Sequence, residues 1–368
     1  MAGKGIKGLN EDKISRRQLL TIAFVGMFSP AVRILPGASL RIGGAATWLS
    51  PIVAAVVAVG LSAVLAWLVK NRREKEGMGE LVLRSVGPVA GRVILILMVL
   101  WLTLYSGFVL RISAERMLAS VFEKGGMTVF IIITLGVSLM AVLGKVKNLA
   151  RTAEIILLLG VLPAAAVLFS LSDLRIENLL PVNTGDIKGI VLGALPMVDV
   201  LCKFTYFTFL AGHCKKQTGI VRQAAIWSCA AAAGFFVIMV TTIGTLSAEL
   251  AETMENAFFS MIKNITIFGI IERIEAVIVA MWVLTDFVLL SALLMADSKI
   301  VTLVLPCTNR KIAAFSIATA VLTVSVVISS SVFELQLFSE WIIPGLNFAF
   351  SLIILPVVLL IGKLRRVI

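Results

Sequence analysis

The stretch GIVLGALPMVDVLCKFTYFTFLAGHC, residues 189–214, decides how this chain is organised. It is apolar over most of its length, which is enough for a helix to cross a hydrocarbon core of about 30 Å. Gly193 and Pro196 interrupt it, and Asp199 and Lys203 place two charges near its middle. Charged residues inside a membrane helix are costly and usually serve a function. The stretch therefore indicates a membrane protein with a polar site in its interior.

The composition of the whole chain agrees with that interpretation. Of the 368 residues, 59% are hydrophobic and only 15% are charged, and the mean hydropathy is +1.04. Soluble domains are about 25% charged, so a water-soluble globule and a disordered chain are both excluded. Transmembrane β-strands alternate apolar and polar residues over about 10 positions, whereas the apolar runs here are solid and longer. The chain is a polytopic helical membrane protein.

Ten segments are predicted to span the membrane, giving an all-α fold. Seven of them are free of charge: 42–69, 93–110, 125–144, 155–172, 223–248, 312–333 and 341–362. Three more carry a charge inside the apolar run: 18–40 with Arg33, 189–214 with Asp199 and Lys203, and 276–296 with Asp286.

The distribution of basic residues predicts that both termini are cytoplasmic. Of the 33 Lys and Arg, 23 fall at the two termini and in the even-numbered loops, and 9 fall on the opposite side. Basic residues concentrate on the cytoplasmic side of a membrane protein. The net charge of +12 thus reflects orientation, and no nucleic-acid partner is expected. Residues 1–17 lead into a retained first helix, since no small-residue cleavage site follows.

The segments 18–40 and 189–214 share an internal proline and an internal charge, and their starts are five spans apart. An odd number of helices per repeat inverts the second repeat, as in many secondary transporters. We therefore predict inverted repeats over 13–172 and 187–368. Broken helices at matching positions point to a binding site at the midplane of the bilayer.

In the first broken segment, the candidate ligand-binding residues are Gly26, Phe28, Ser29 and Pro30. Serine is a favoured N-cap and proline a favoured first helical residue. A half-helix is therefore predicted to begin at Ser29, with free amides that suit a carboxylate. A simple proline kink is the alternative.

In the second broken segment, Gly193, Pro196 and Asp199 are the candidate ligand contacts. Asp199 and Lys203 are four residues apart and can pair on one helix face. That pair either contributes to ligand binding or gating, or only stabilises the break. Tyr105, in 93–110, is a further ligand candidate, with interhelical hydrogen bonding as the alternative.

Asp286 is flanked by ten uncharged residues on each side, so it must pair, bind a proton or face water. The basic residues within apolar spans are Arg33 and Lys203. We interpret Asp286, Lys203 and Arg33, with Thr285 as a weaker candidate, as residues for proton or cation coupling. A packing ion pair is the alternative for Asp286.

Enzymatic motifs are absent from the sequence: it has no Walker A, H-E-x-x-H or G-x-S-x-G pattern, and its four cysteines form no C-x-x-C pair. We expect no catalytic residues, no cofactor and no metal site.

Five short motifs, in matching order, resemble those of the endospore germination permeases, the B subunits of spore germinant receptors. They are KISRRQLL (Lys13–Leu20), the pair Leu35-Pro36, RTAEI (Arg151–Ile155), NLLPV (Asn178–Val182) and IERIEAVIVAMWVL (Ile271–Leu284). Arg33, Asp199 and Lys203 are departures from that family's pattern.

The resemblance implies a fold of the amino acid-polyamine-organocation superfamily, which is leucine-transporter-like, with ten core helices in two inverted repeats. It implies a membrane protein of the inner spore membrane that senses a small germinant such as an amino acid. Its partners would be membrane lipid, an A-type membrane subunit and a C-type lipoprotein. A proton-coupled amino acid transporter is the competing interpretation, and an ion channel fits less well, because no helix carries a polar stripe along its full length.

Overall fold

A computed structural model describes residues 12–71, 73, 76–120, 126–214, 219–254, 256–263, 275–305, 308–329 and 331–367. Several predictions fall on residues outside these ranges. They concern most of the basic N-terminus, two of the basic residues counted for the cytoplasmic side (Lys215 and Lys216), the beginning of the Ile271–Leu284 motif, and the last residue, where the second predicted repeat ends.

The described residues are almost entirely helical. The helices are α1 (Arg16–Ile34), α2 (Gly37–Gly43), α3 (Ser50–Asn71), α4 (Met78–Val86), α5 (Pro88–Ser120), α6 (Met127–Leu143), α7 (Val146–Leu159), α8 (Val161–Phe169), α9 (Ile187–Gly193), α10 (Leu195–Cys202), α11 (Phe204–Phe207), α12 (Ile220–Leu246), α13 (Ala248–Thr253), α14 (Ala257–Lys263), α15 (Glu275–Val304), α16 (Arg310–Val327), α17 (Val332–Leu337), α18 (Ile343–Phe348) and α19 (Leu355–Leu364).

Each predicted span coincides with a helical part of the chain. Within the described residues, eight helical stretches are long and apolar enough to cross a membrane, and the bent pair of α1 and α2 makes a ninth. The remaining prediction, 125–144, coincides with α6, an apolar helix of 17 residues. The structure thus supports eight or nine full-length spans, and the count of ten stays a prediction.

The break in the first span lies later than predicted. Ser15 caps α1 by accepting a hydrogen bond from the backbone amide of Gln18, and α1 then continues through Pro30 to Ile34. The chain bends by 58° between α1 and α2, where Leu35 is extended. Proline disfavours helix at the residue before it, and Pro36 has this effect whereas Pro30 does not. The predicted half-helix beginning at Ser29 is therefore wrong.

The most buried spans define the centre of the bundle. In the stretch Thr184–His213, 78% of its apolar 18-residue segment is buried, and in Ala276–Val304 the buried share is 72%. The corresponding share in Val146–Asp173 is only 25%. The long helix α15 packs against α1, α5, α6, α7 and α16, and α10 packs against α1, α3 and α18. The charged segment 189–214 therefore lies inside the helix bundle rather than against lipid.

Close contact of two helix backbones fixes the end of the bent first span. A Cβ atom added to Gly43 of α2 would lie closer than 3.0 Å to the carbonyl oxygen of Gly189 in α9, and the converse also holds. Small residues at a helix crossing allow such backbone approach in membranes. This contact joins the two interrupted segments directly.

We expect Gly189→Ala to destabilise the protein by about 1–3 kcal/mol, because the added methyl group overpacks the crossing. The matched control is Gly136→Ala in α6, where a Cβ meets nothing within 4 Å. The melting temperature of the purified protein in detergent distinguishes them. Equal melting temperatures for the two variants would contradict the contact.

Candidate functional site

The interruption in the segment 189–214 comes from its backbone hydrogen bonds. Pro196 lies in the first turn of α10 and lacks an amide donor. At Lys203 the backbone amide donates to the carbonyl of Val200 at 3.3 Å rather than to that of Asp199, as an α-helix requires. The backbone amide of Tyr206 likewise donates to the carbonyl of Lys203 rather than to that of Cys202. The carbonyl groups of Asp199 and Cys202 are thereby released for other partners.

Side chains bind both released carbonyl groups. The Lys203 ammonium lies 3.3 Å from the Asp199 carbonyl oxygen, and the Ser351 hydroxyl donates to the Cys202 carbonyl at 3.0 Å. The broken helix is therefore held by one of its own side chains and by one from the last span.

Asp199 and Lys203 form a buried ion pair, as their spacing predicts. The Lys203 Nζ lies 2.8 Å from Asp199 Oδ2, and each side chain is only 1% exposed. Both groups are charged and enclosed, so each depends on the other for compensation.

A chain of hydrogen bonds extends this pair across the bundle. The Asn347 amide donates to Asp199 Oδ1, the Tyr206 hydroxyl donates to Asn347 Oδ1, and Trp101 Nε1 donates to the Tyr206 oxygen at 2.8 Å. Asn347 lies in α18, between two π-helical stretches at 338–342 and 349–354. Such π-helical turns are frequent at functional sites.

Aromatic rings form one wall of the cluster. Tyr105, the predicted ligand contact in α5, is 1% exposed and stacks on Trp101 and Phe108 with ring centroids 5.7 Å and 6.4 Å away. The Lys203 ammonium lies 5.7 Å from the Tyr105 ring centroid, within reach of a cation–π attraction. We call the set Trp101, Tyr105, Asp199, Lys203, Tyr206 and Asn347 the central cluster. It presents one cation, one carboxylate, an amide and flat apolar surfaces.

The candidates of the first span lie within an uninterrupted helix, α1, which packs against α10 and α11. Ser29 and Pro30 are buried, and Phe28 is partly buried against the core. A Cβ atom added to Gly26 would lie 2.9 Å from the Phe207 ring, so this glycine permits tight packing between helices. Whether these residues contact a ligand stays a prediction.

Gly193, the candidate of the second break, also lies at a tight crossing. An added Cβ atom would lie 2.9 Å from Ser50 Oγ, and that hydroxyl donates to the Ile190 carbonyl at 2.7 Å. The glycine therefore lets α9 approach α3, and a direct ligand contact at this position stays a prediction.

Asp286 has a partner that the sequence analysis missed. Arg116 Nη2 lies 2.5 Å from Asp286 Oδ2, and the Ser113 hydroxyl donates to the same oxygen at 2.7 Å. The interpretation that Arg33 and Lys203 are the basic residues within the spans is wrong, because α5 continues to residue 120 and carries Arg116 into the bundle. Arg116 also lies over the Trp282 ring, 5.2 Å from its centroid.

The other two coupling candidates are engaged locally. The Arg33 guanidinium donates to Ser339 Oγ at 2.9 Å and lies over the Phe108 ring. The Thr285 hydroxyl donates to the Trp282 carbonyl one turn earlier, at 3.1 Å. Their roles in ion coupling stay predictions.

The described residues include no cluster of side chains suited to a metal ion, since no group of three His, Cys, Asp or Glu side chains among them could hold one. A cavity of about 50 Å³ lies apart from the central cluster, against apolar residues such as Leu65, Phe204 and Ala224.

Comparison with known proteins gives one family and one fold. A family model described as spore germination protein matches residues 13–333. The crystal structure of MhsT in complex with L-phenylalanine is similar, with a TM-score of 0.64, 13% sequence identity, and coverage of 96% of this chain and 99% of that chain.

Mhp1, a nucleobase-cation-symport-1 family transporter in a closed conformation with bromovinylhydantoin bound, has a TM-score of 0.62 and 12% identity. That match covers 94% of this chain and 79% of that chain. No curated protein sequence is significantly similar. These likenesses confirm the leucine-transporter-like fold that the sequence predicts.

We expect Asp286→Asn to destabilise the protein by about 3–5 kcal/mol, because it leaves the Arg116 cation buried without a counter-ion. The double variant Asp286→Leu/Arg116→Met removes both charges and is expected to recover most of the loss. Thermal unfolding in detergent measures both effects. If Asp286→Asn were as stable as the wild type, the ion pair of Asp286 and Arg116 would not be what holds α5 against α15.

Proposed function

The chain belongs to the spore germination protein family, and we propose that it is the B-type subunit of a germinant receptor that binds a small nutrient, an amino acid, in its central cluster. Its fold is shared with MhsT and with Mhp1, a transporter. The proposed location is the inner membrane of the spore, with both termini in the cytoplasm. The proposed partners are an A-type membrane subunit and a C-type lipoprotein.

The buried ion pair of Asp199 and Lys203 is the observation that carries the ligand proposal. Burying such a pair stabilises a protein no better than apolar residues of the same size, and intramembrane charges usually mark a functional site. A zwitterionic amino acid carries the same two charges. Its ammonium group would bind Asp199 and its carboxylate Lys203, so the ligand would replace one internal ion pair with two.

The surroundings of the pair suit the rest of such a ligand. The rings of Trp101 and Tyr105 offer flat apolar surfaces for a side chain, and Asn347 offers an amide next to Asp199. MhsT, which shares the fold, holds L-phenylalanine in its crystal structure. This fold therefore accommodates an amino acid of that size, which supports the class of ligand proposed.

Ligand binding would be communicated through the helices that share the cluster. Asp199 lies in α10, Lys203 lies at the break between α10 and α11, Asn347 lies in α18, and Trp101 lies in α5. Separating the ion pair would free the Asp199 carbonyl from the Lys203 ammonium and thereby loosen the break. We propose that this rearrangement is the signal that the receptor transmits.

A proton-coupled amino acid transporter is the second candidate, favoured by the fold shared with Mhp1, a transporter. The two functions use the same pocket and differ in whether the ligand crosses the membrane. Accumulation of labelled amino acid in liposomes that contain the purified protein would favour transport over sensing.

Deleting the gene in its spore-forming host should leave spores viable but unresponsive to at least one amino acid in a panel of L-amino acids and sugars. Reintroducing the wild-type gene should restore the response. Asp199→Asn should require at least about tenfold more of that amino acid, because losing one buried charge contact costs more than 1.4 kcal/mol.

The matched control is Asp173→Asn, which removes an exposed carboxylate and should restore the response fully. Immunoblots of spore membranes establish that both variants are inserted. Unchanged responses to every nutrient in a deletion strain that also lacks related receptor genes would contradict the proposal.

A further inference from the structure

Asp297 in α15 is a buried carboxyl group that has no cationic partner among the residues that the structure describes. Its side chain is fully buried, and Oδ2 accepts one hydrogen bond, from the Thr103 hydroxyl of α5 at 2.7 Å. Oδ1 is buried and has no hydrogen-bond partner among the described residues. Asp286 and Asp199 each have a basic partner, whereas Asp297 lies in no ion pair formed by the described residues.

The charged groups on the elements around α15 have other partners, are exposed, or lie half-buried at the start of a helix, as Arg16 of α1 and Lys147 of α7 do. Their contacts are Lys203 with Asp199, Arg116 with Asp286, Arg111 with Glu115, Lys299 with Glu80, Arg84 with Glu76, His213 with Asp12, Arg33 with Ser339, Glu154 with Gln18, Lys263 over the Phe259 ring, and Arg310 with the carbonyl groups of Val142 and Gly144. Arg17, Arg92, Arg151 and Lys311 are exposed. The helix α6 carries no titratable residue.

Two kinds of ligand can neutralise such a group, a proton and a metal cation. Ions such as Ca²⁺ and Mg²⁺ take about six or more oxygen ligands, whereas Asp297 and Thr103 together offer three side-chain oxygens. A buried carboxyl group without a counter-ion is otherwise neutralised by a proton.

We propose that Asp297 is a proton-binding site that couples ligand binding to pH. Thr103, its partner, lies between Trp101 and Tyr105 of the central cluster on the same helix. Release of the proton would leave a carboxylate in an apolar interior and alter the contact between α5 and α15 at the level of these rings. The coupling to ligand rests on the proposed function, whereas the binding of a proton does not.

Infrared spectroscopy of the purified protein in lipid nanodiscs tests proton binding without any ligand. A protonated carboxyl group has a carbonyl stretch separate from carboxylate bands. We expect such a band in the wild type, its loss as the pH is raised, and its absence from Asp297→Asn. Thr103→Val should keep the band but shift its frequency, because it removes the hydrogen bond to Oδ2. Glu249→Gln, which changes an exposed carboxylate, should leave the band unchanged.

A band that persists in Asp297→Asn would overturn the proposal, and so would a band that disappears on adding Na⁺ at constant pH. If Asp297→Asn does not fold, the frequency shift in Thr103→Val decides, and an unshifted band would overturn the proposal. In spores, the amino acid concentration for half-maximal germination should depend on pH in the wild type and much less in Asp297→Asn. A confirmed band with equal pH dependence in both strains would overturn the coupling while leaving proton binding intact.

Discussion

Burying an aspartate and a lysine one turn apart inside a membrane bundle imposes a constraint that the surrounding residues meet. Each charge must be compensated within reach of its own side chain. The chain does this by interrupting the helix at Lys203, so that the ammonium binds both the carboxylate and the carbonyl of Asp199. Asn347, Tyr206 and Trp101 then continue the hydrogen bonding to the last span and to α5. One ion pair thus ties three parts of the bundle together.

The contact between α5 and α15 shows two further ways to accommodate a buried carboxylate. Asp286 and Asp297 are about 16 Å apart along α15, from a rise of about 1.5 Å per residue. Arg116 neutralises the first with a salt bridge, whereas the second has only a threonine hydroxyl. Asp286 therefore holds the two helices together, and Asp297 is the group available to exchange a proton. Trp101 and Tyr105, the residues of the central cluster on α5, lie at the level of Asp297.

The sequence predicted the helical class, the position of each apolar segment and the pairing of Asp199 with Lys203, because these follow from hydropathy and from spacing along one helix. It misplaced the first break, since Ser29-Pro30 and Leu35-Pro36 are both plausible breaks and only packing decides between them. It missed Asn347, Arg116 and Asp297, whose partners are distant in the chain. The sequence did offer a signal for two of them: Asn347 is the single side-chain amide within 341–362, and Asp297 is a charge just beyond 276–296. The inverted symmetry of the two halves stays a prediction.

The central claim is that an amino acid ligand takes over the ion pair of Asp199 and Lys203. Solid-state NMR of the protein in lipid, with ¹⁵N-labelled lysine side chains, observes the Lys203 ammonium directly, and Lys203→Met assigns its signal. The account predicts that a saturating mixture of L-amino acids shifts the Lys203 signal, and that the corresponding amines without the carboxylate do not. A Lys203 signal that the amino acid mixture leaves unchanged would contradict it.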